Sequence, residues 1–534
     1  MHALVLTALT AILPLDVIST LPLEGDVTAD GGDFARIPFD VPDGTVEIRY
    51  HHDDNSEADI LDFGMRDPSG QRGWCGGLTD DDVIGVEESS RCYMPGPIEG
   101  GSTWYVEIGK AQLVSDSVHY SVELEFRDAA TLTPRPRAEF QPVVLESGAR
   151  WYAGDFHVHS NESGDATSTF DQIRDLARAR GVDFVNLSDH NVITQHALIA
   201  AYQAGVDDVL FLRGSEVTTY AGHGNAVGNA SYIDHHIGQD GRTIVDLIDD
   251  VVADGALFIV NHPALNIGDA CIGCGWNYDD TPWDEVTGIE LQTGPYLFSG
   301  VFTPLVLTMW DDLLDSGYRI TGVSGSDDHQ APTAPADDES QLGTPTSMVW
   351  AEELSEAGVM EGVRAGRVVV KLRGPDDPML ELTAETDRGE RGMIGDTVTG
   401  HHVSLTASVA GEADGMQLVL MRNGEMDEVV PVEGSDFTHT FERDTRSEGD
   451  RYRVHLTLGG DVVITNHVWV EDAEPTGGDD AGSGGGPDAG TGAPGGDDGG
   501  CGCRAGASRG GGAGGALLLA AAALIGLRRR RSTR

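Results

Sequence analysis

The chain has 534 residues, with 88 acidic against 34 basic side chains and a formal net charge of −54. That length supplies core for about three domains, and the acidity argues against a nucleic-acid partner, which needs a cationic surface. It leaves an anionic small substrate open, because salt screens surface fields beyond about 8 Å and bound divalent ions would dominate a pocket.

Residues 1–20 contain an apolar run, Ala3 to Leu15, with the length of a signal-peptide core. No Lys or Arg precedes it, Pro14 interrupts it and no Ala-x-Ala site follows, so a misassigned start or a buried strand stays open beside a leader. From 26 to 137 short alternating stretches such as Thr45-Val46-Glu47-Ile48-Arg49-Tyr50 and Trp104-Tyr105-Val106-Glu107-Ile108 sit between Gly, Pro and Asp turns, which predicts a β-sandwich. Sparse aromatics favour a structural or pocket-capping role over glycan binding. Cys75 and Cys92 are expected to pair in an oxidising compartment.

Pro134-Arg135-Pro136-Arg137 marks the boundary to a second domain, residues 151–373. Its opening reads strand, helix, strand: Trp151 to His159 alternates, Thr169 to Arg180 has helical spacing, and Val182 to Leu187 is a short apolar run. In a strand, residues i and i+2 share a face, so His157 and His159 present two imidazoles side by side. Two solvated edge histidines would read the same way, but later segments repeat the pattern. Metal-type ligands follow apolar runs at Ser188-Asp189-His190-Asn191, Gly214-Ser215-Glu216, Gly222-His223-Gly224-Asn225, Asn261-His262-Pro263 and Gly325-Ser326-Asp327-Asp328-His329. Nine of the 18 histidines lie between 157 and 329. A β/α barrel with ligands crowding the C-terminal rim accounts for this order. Thr243 to Ala253 reads as a helix, and Val286 to Gln292 as a strand carrying Glu290, either towards substrate or into solvent. Cys271 and Cys274 lack a second Cys pair in the domain, which favours a local disulfide over a zinc knuckle.

Residues 376–472 return to alternating strands and predict an immunoglobulin-like sandwich, with His401 and His402 as surface histidines. Residues 473–500 are Gly, Asp, Pro and Ala, a flexible linker. Residues 501–534 hold Cys501-Gly502-Cys503, an apolar stretch ending at Leu527, and Arg528 to Arg531. The stretch is near the short limit for a spanning helix, and the arginines would keep that end in the cytoplasm and the other domains outside.

The order HxH, an acid eight residues past the first His (Asp165), SDHN, GSE, GHGN, NHP and GSDDH resembles the polymerase-and-histidinol-phosphatase (PHP) metallohydrolases, and its spelling is similar to the carbaryl-hydrolase-like CehA/McbA branch. The resemblance implies a distorted (β/α)7 barrel flanked by the two sandwiches, and two or three divalent ions, Zn, Mn or Fe. His157, His159, Glu216 and Asp327 would hold one ion; Glu216 would bridge to a second on His223 and His262; Asp165, His190 and His329 would hold a third. Many members have His where this chain has Asp165. The tail resembles the Cys, helix and Arg-cluster sorting tails of myxobacterial surface proteins, so a permanent anchor and cleavage near Cys501 or Cys503 both stay open.

Mixed imidazole and carboxylate ligands suit such ions, and a bridged hydroxide would attack an ester without a protein nucleophile. Asp189 and Asp328 are expected to orient imidazoles or accept protons, and His223 is the candidate leaving-group acid if free of metal. The expectation is an extracytoplasmic, secreted or surface-anchored hydrolase of a small-molecule phosphoester. The alternatives are a carbamate, carboxyl-ester or amide hydrolase, and a metal-stabilised envelope- or glycan-binding module.

Overall fold

Alternation sets the first domain: along Thr103–Gln112 the side chains of Trp104, Val106 and Ile108 all turn inward. In the computed structural model, which describes residues 16–56, 58–77, 81–268, 271–294, 300–331 and 340–473, this strand belongs to one of two antiparallel four-stranded sheets. They close over Ile48, Tyr50, Leu61, Phe63, Leu124 and Phe126. Val17–Thr28 pairs along its length with Ser117–Arg127, so residues 17–20 start a strand of this sandwich. Cys75 and Cys92 are disulfide-bonded. The run Ala3 to Leu15 and the linker and tail from 474 onward lie outside the described residues. Among the described residues no helix is long and apolar enough to cross a membrane.

Among the described residues the central domain has nine strands: β1 (Val144–Val158), β2 (Phe184–Leu187), β3 (Leu210–Thr219), β4 (Gly222–Val227), β5 (Leu257–Val260), β6 (Gly288–Thr293), β7 (Thr321–Gly325), β8 (Thr346–Ser355) and β9 (Val368–Lys371). Its helices are α1 (Phe170–Arg180), α2 (Thr194–Gln203), α3 (Ile244–Ala253), α4 (Thr303–Asp315) and α5 (Glu356–Arg364). Thr169 and Thr243, expected as first helical residues, are instead the N-caps of α1 and α3, each in a reciprocal capping box. β1, β2 and β3 run parallel, as do β5, β6 and β7, and a bridge from Val158 to Asp328 brings the chain after β7 back to the end of β1.

This pairing does not establish the (β/α)7 barrel. β4 is antiparallel to both β3 and β5, and β8 and β9 add antiparallel strands beside β1. The physical cause is local: only Tyr220 and Ala221 separate β3 from β4, a hairpin connection with no room for a helix.

The third domain is a second two-sheet sandwich, and its strand Asp461–Thr465 pairs with β9, so one of its sheets continues the central one. The chain is thus multidomain and mostly β. His401 and His402 lie exposed against Asp472, Asp444 and Glu442.

Candidate metal centre

The end of β1 delivers both imidazoles of the HxH, His157 inside the strand and His159 just past it, with ring centroids 5.1 Å apart. Asp155 fixes that strand end: its carboxylate accepts from the backbone N–H groups of His157, Ser326 and Gly343. Burial pushes its pKa up to about 6 despite those bonds. Gly325 is required by close approach, because a Cβ there would lie 2.3 Å from His157 Cβ. Asn191, His262 and Asp327, each at or next to a ligand, take left-handed backbone with φ of 52°, 28° and 59°. Such conformations cost about 1–3 kcal/mol each for non-glycine residues and concentrate at functional sites.

Glu216, fully buried at the middle of β3, is the hub. Its Oε2 faces His157 Nε2 at 3.4 Å, His159 Nε2 at 3.7 Å and His190 Nδ1 at 2.9 Å. Its Oε1 faces His223 Nδ1 at 3.4 Å and His262 Nε2 at 3.3 Å, and accepts from Asn261 Nδ2 at 2.9 Å. Asp327 Oδ1 closes the first side, 3.2 Å from His157 Nε2 and 3.0 Å from His159 Nε2. Beyond it Asp165 Oδ2 sits 3.3 Å from His190 Nε2 and 3.2 Å from His329 Nε2. All nine expected ligands therefore converge. Of the three expected sets, the first, His157, His159, Glu216 and Asp327, offers ligand atoms all within 4.8 Å of one another; a further group that meets the same limit is His159, His190 and His329, with His159 in the place expected for Asp165.

The donor set fits divalent cations. His157 Nε2 and Glu216 Oε2 are buried and make no hydrogen bond, though they face each other. Burial would raise the Glu216 carboxyl, but His157 and His190 hold it well below the usual range. Burial would lower His157 and His190, yet Glu216 with Asp327 and Asp165 drives both well above the ordinary imidazole value. The same pull lifts His329 to about 9 against its burial, whereas burial and the neighbouring His329 and His190 push His159 down to about 3. A pocket that holds protons this tightly on imidazoles between carboxylates is one that cations can occupy instead.

The side chains behind the ligands differ from expectation. Asp189 does not reach an imidazole; it accepts from Ser160 N at 2.6 Å and Ser160 Oγ at 2.7 Å, and burial raises it to about 7. Asp328 likewise accepts from the backbone of Gln330, Ala331 and Leu342. Both hold turns rather than reacting atoms. His223 donates from Nε2 to the carbonyl of Ile272 while Nδ1 faces Glu216, so neither nitrogen is free for a leaving group. Glu290 is fully buried rather than solvated: it accepts from His157 Nδ1 at 3.0 Å and from His262 N at 3.0 Å. Strand alternation gave Glu290 a face but not which face is the interior, and Asn261 was visible only as part of a motif.

The disulfide loop Cys271–Cys274 seats the second side, its Ile272 and Cys274 carbonyls accepting from His223 and His262. The N-terminal sandwich caps the third: Cys92 N donates to the Glu162 carbonyl in the loop leading to Asp165, and Tyr220 donates to Asp62. Side chains of Asp165, His190, His329 and Asp327 keep 23–30% exposure, which marks this as the face open to solvent.

No known family profile and no curated protein matches the sequence. Solved structures are similar over part of it, two of them as follows. One, from Bacteroides vulgatus, is described as a two-domain protein containing a predicted PHP-like metal-dependent phosphoesterase, with 19% identity, 63% of this chain and 100% of that chain covered, and a TM-score of 0.35. The other, from Bifidobacterium adolescentis, is described as a candidate metal-dependent phosphoesterase, with 14% identity, 35% and 92% covered, and a TM-score of 0.25. At these levels neither likeness fixes an activity for this chain.

Proposed function

We propose that the chain is a metal-dependent hydrolase of the PHP kind, acting on phosphoesters outside the cytoplasm. The observation that carries this reading is Glu216, a fully buried carboxylate facing five imidazoles, two on one oxygen and three on the other. A structural site is normally closed by four ligands around one ion, whereas nine ligands with one exposed edge suit several ions and a substrate. The three sets expected from the sequence are the holders: His157, His159, Glu216 and Asp327; Glu216, His223 and His262; Asp165, His190 and His329. Divalent ions bound there supply Lewis acidity, lowering the pKa of water from about 15.7 towards 7 and neutralising charge on the attacked ester.

The chain's own residues do the rest. Glu290 fixes the His157 tautomer so that Nε2 faces the cluster, and the Ile272 and Cys274 carbonyls do the same for His223 and His262. Asn261 holds the plane of Glu216. The exposed edge at Asp165, His190 and His329 is the side from which a substrate reaches the cluster. Two disulfides support an oxidising location.

The test is one panel on purified protein: metal content, then turnover of p-nitrophenyl phosphate, bis-p-nitrophenyl phosphate, p-nitrophenyl acetate and an aryl carbamate with added Mn or Zn. Phosphoester turnover is expected. Turnover of only the last two would replace the phosphoester reading by carboxyl-ester or carbamate hydrolysis, and silence on all four with metal bound would leave a binding module.

A further inference from the structure

A second cluster lies away from this centre, where the loop after β4 meets the N-terminal sandwich. We propose that this seam holds one divalent cation of the zinc type on His235, His236 and Glu107, with Asp234 fixing the His236 ring. Nothing in the proposal depends on the central cluster.

His235, His236 and Glu107 are 2%, 1% and 0% exposed, and His235 Nε2, His236 Nε2 and Glu107 Oε2 each lack a hydrogen-bond partner. A buried polar atom without a partner is costly to maintain, and two of these three, His236 Nε2 and Glu107 Oε2, face each other. His236 Nδ1 donates to Asp234 Oδ1 at 2.5 Å, which leaves Nε2 as the lone-pair nitrogen. His236 Nε2 faces Glu107 Oε2 at 3.6 Å, a contact that a shared cation or a proton would satisfy. Two ligands on a tetrahedral cation at about 2.1 Å stand about 3.4 Å apart, close to the gap observed. A carboxylate behind the imidazole is the usual support of a metal-bound histidine.

His235 lies against His236 with ring centroids 4.1 Å apart and anchors its other nitrogen on Tyr232, and ligand atoms of Asp234, His235 and His236 fall within 4.8 Å of one another. Glu107 Oε1 is already taken by Arg36 and Arg66, which leaves Oε2 facing His236. A solvent-open pocket of about 460 Å³, lined by Arg36, Asp234, His236, Gln239, Asp240 and Arg242, gives an ion its route in. Imidazole with carboxylate and no thiolate suits Zn, Mn, Fe or Ni over Cu(I). Because Glu107 belongs to the sandwich and both histidines to the central domain, the ion would cross-link the two.

The experiment measures bound metal per chain in full-length wild type, His236→Gln, Glu216→Gln and the double variant, followed by Co(II) loading and visible absorption. His236→Gln is expected to lose one equivalent relative to its parent in both backgrounds, together with the tetrahedral Co(II) band of that equivalent and the upward Tm shift on adding zinc to stripped protein. Should His236→Gln fail to fold, Glu107→Gln, of the same size and still able to accept from Arg36 and Arg66, carries the same comparison. Equal metal content and equal spectra in variant and parent would overturn the site and leave a proton between His236 and Glu107. Failure of the central centre gives a different pattern: Glu216→Gln would then match wild type while His236→Gln still lost its equivalent.

Discussion

Replacing Glu216 by Gln changes one atom and one charge and is the most direct perturbation of the centre. The carboxylate lies 2.9–3.7 Å from nitrogens of His157, His159, His190, His223 and His262, so any ion held by those rings also touches it. At a contact of about 2.1 Å and an effective dielectric near 20, the attraction between the carboxylate and a doubly charged ion is about 16 kcal/mol. Relief of desolvation and the ion–dipole attraction that the Gln oxygen retains offset most of this, and breaking a buried charge pair costs about 3–5 kcal/mol net, or roughly 10²–10⁴ in metal affinity. Metal titration followed by mass-spectrometric metal analysis should show at least one ion missing at micromolar free metal, and phosphoester turnover should fall by at least about the same factor. A cooperative melt is the control for folding. A folded Glu216→Gln protein with its full metal complement and a rate within about tenfold of wild type would refute the reading of Glu216 as the shared ligand.

Glu290→Gln should weaken metal binding by about 10–100-fold, because the residue touches His157 and not the open edge, and KM should stay unchanged at saturating metal; a raised KM with unaltered metal affinity would make Glu290 a substrate contact. Gly325→Ala should destabilise the fold by about 1–3 kcal/mol and strip the first metal set, since the added Cβ meets His157 Cβ at 2.3 Å; an unshifted denaturation midpoint would contradict that packing. Acid stability should depend on Glu88, whose pKa burial would raise but which Arg135 and Arg137 lower from 4.5 to about 2. A carboxyl depressed in the folded state gives stability that is complete above its unfolded pKa of about 4.3 and is lost as pH falls towards 2. Glu88→Gln should therefore flatten the Tm-against-pH curve between about 4.5 and 2, and an unchanged slope there would sink the assignment.

The side chains that converge on Glu216 were legible because a candidate cation site confines residue types to short stretches of chain. HxH at the end of an alternating strand, an acid shortly after, and His, Glu or Asp directly after apolar runs each carry local information. Their supports carry none. Whether Glu290 faces interior or water depends on which side of β6 is packed, and that is decided by Ile289 and Leu291 facing the helices, a relation between distant segments. Asp189 and Asp328 illustrate the converse: adjacency to a ligand suggested an electrostatic role, but neighbours in a tight turn project differently, and both carboxylates were needed to satisfy backbone N–H groups left unpaired where strands end.

The same distinction between local and distant information explains the architecture. A helix between successive strands is the cheapest reading of a chain whose apolar runs are separated by amphipathic stretches, yet Thr219-Tyr220-Ala221-Gly222 turns β3 straight back on itself and reverses the sheet. That hairpin has a chemical consequence. In a parallel β3–β4 pair the two strand ends would reach the rim only after a crossover, whereas the antiparallel pair sets Thr218 opposite His223 within a few residues of Glu216 and brings the His223 ring to Oε1 from the adjoining strand. Departure from a regular barrel is therefore what lets one carboxylate be shared between His157, His159 and His190 on one oxygen and His223 and His262 on the other.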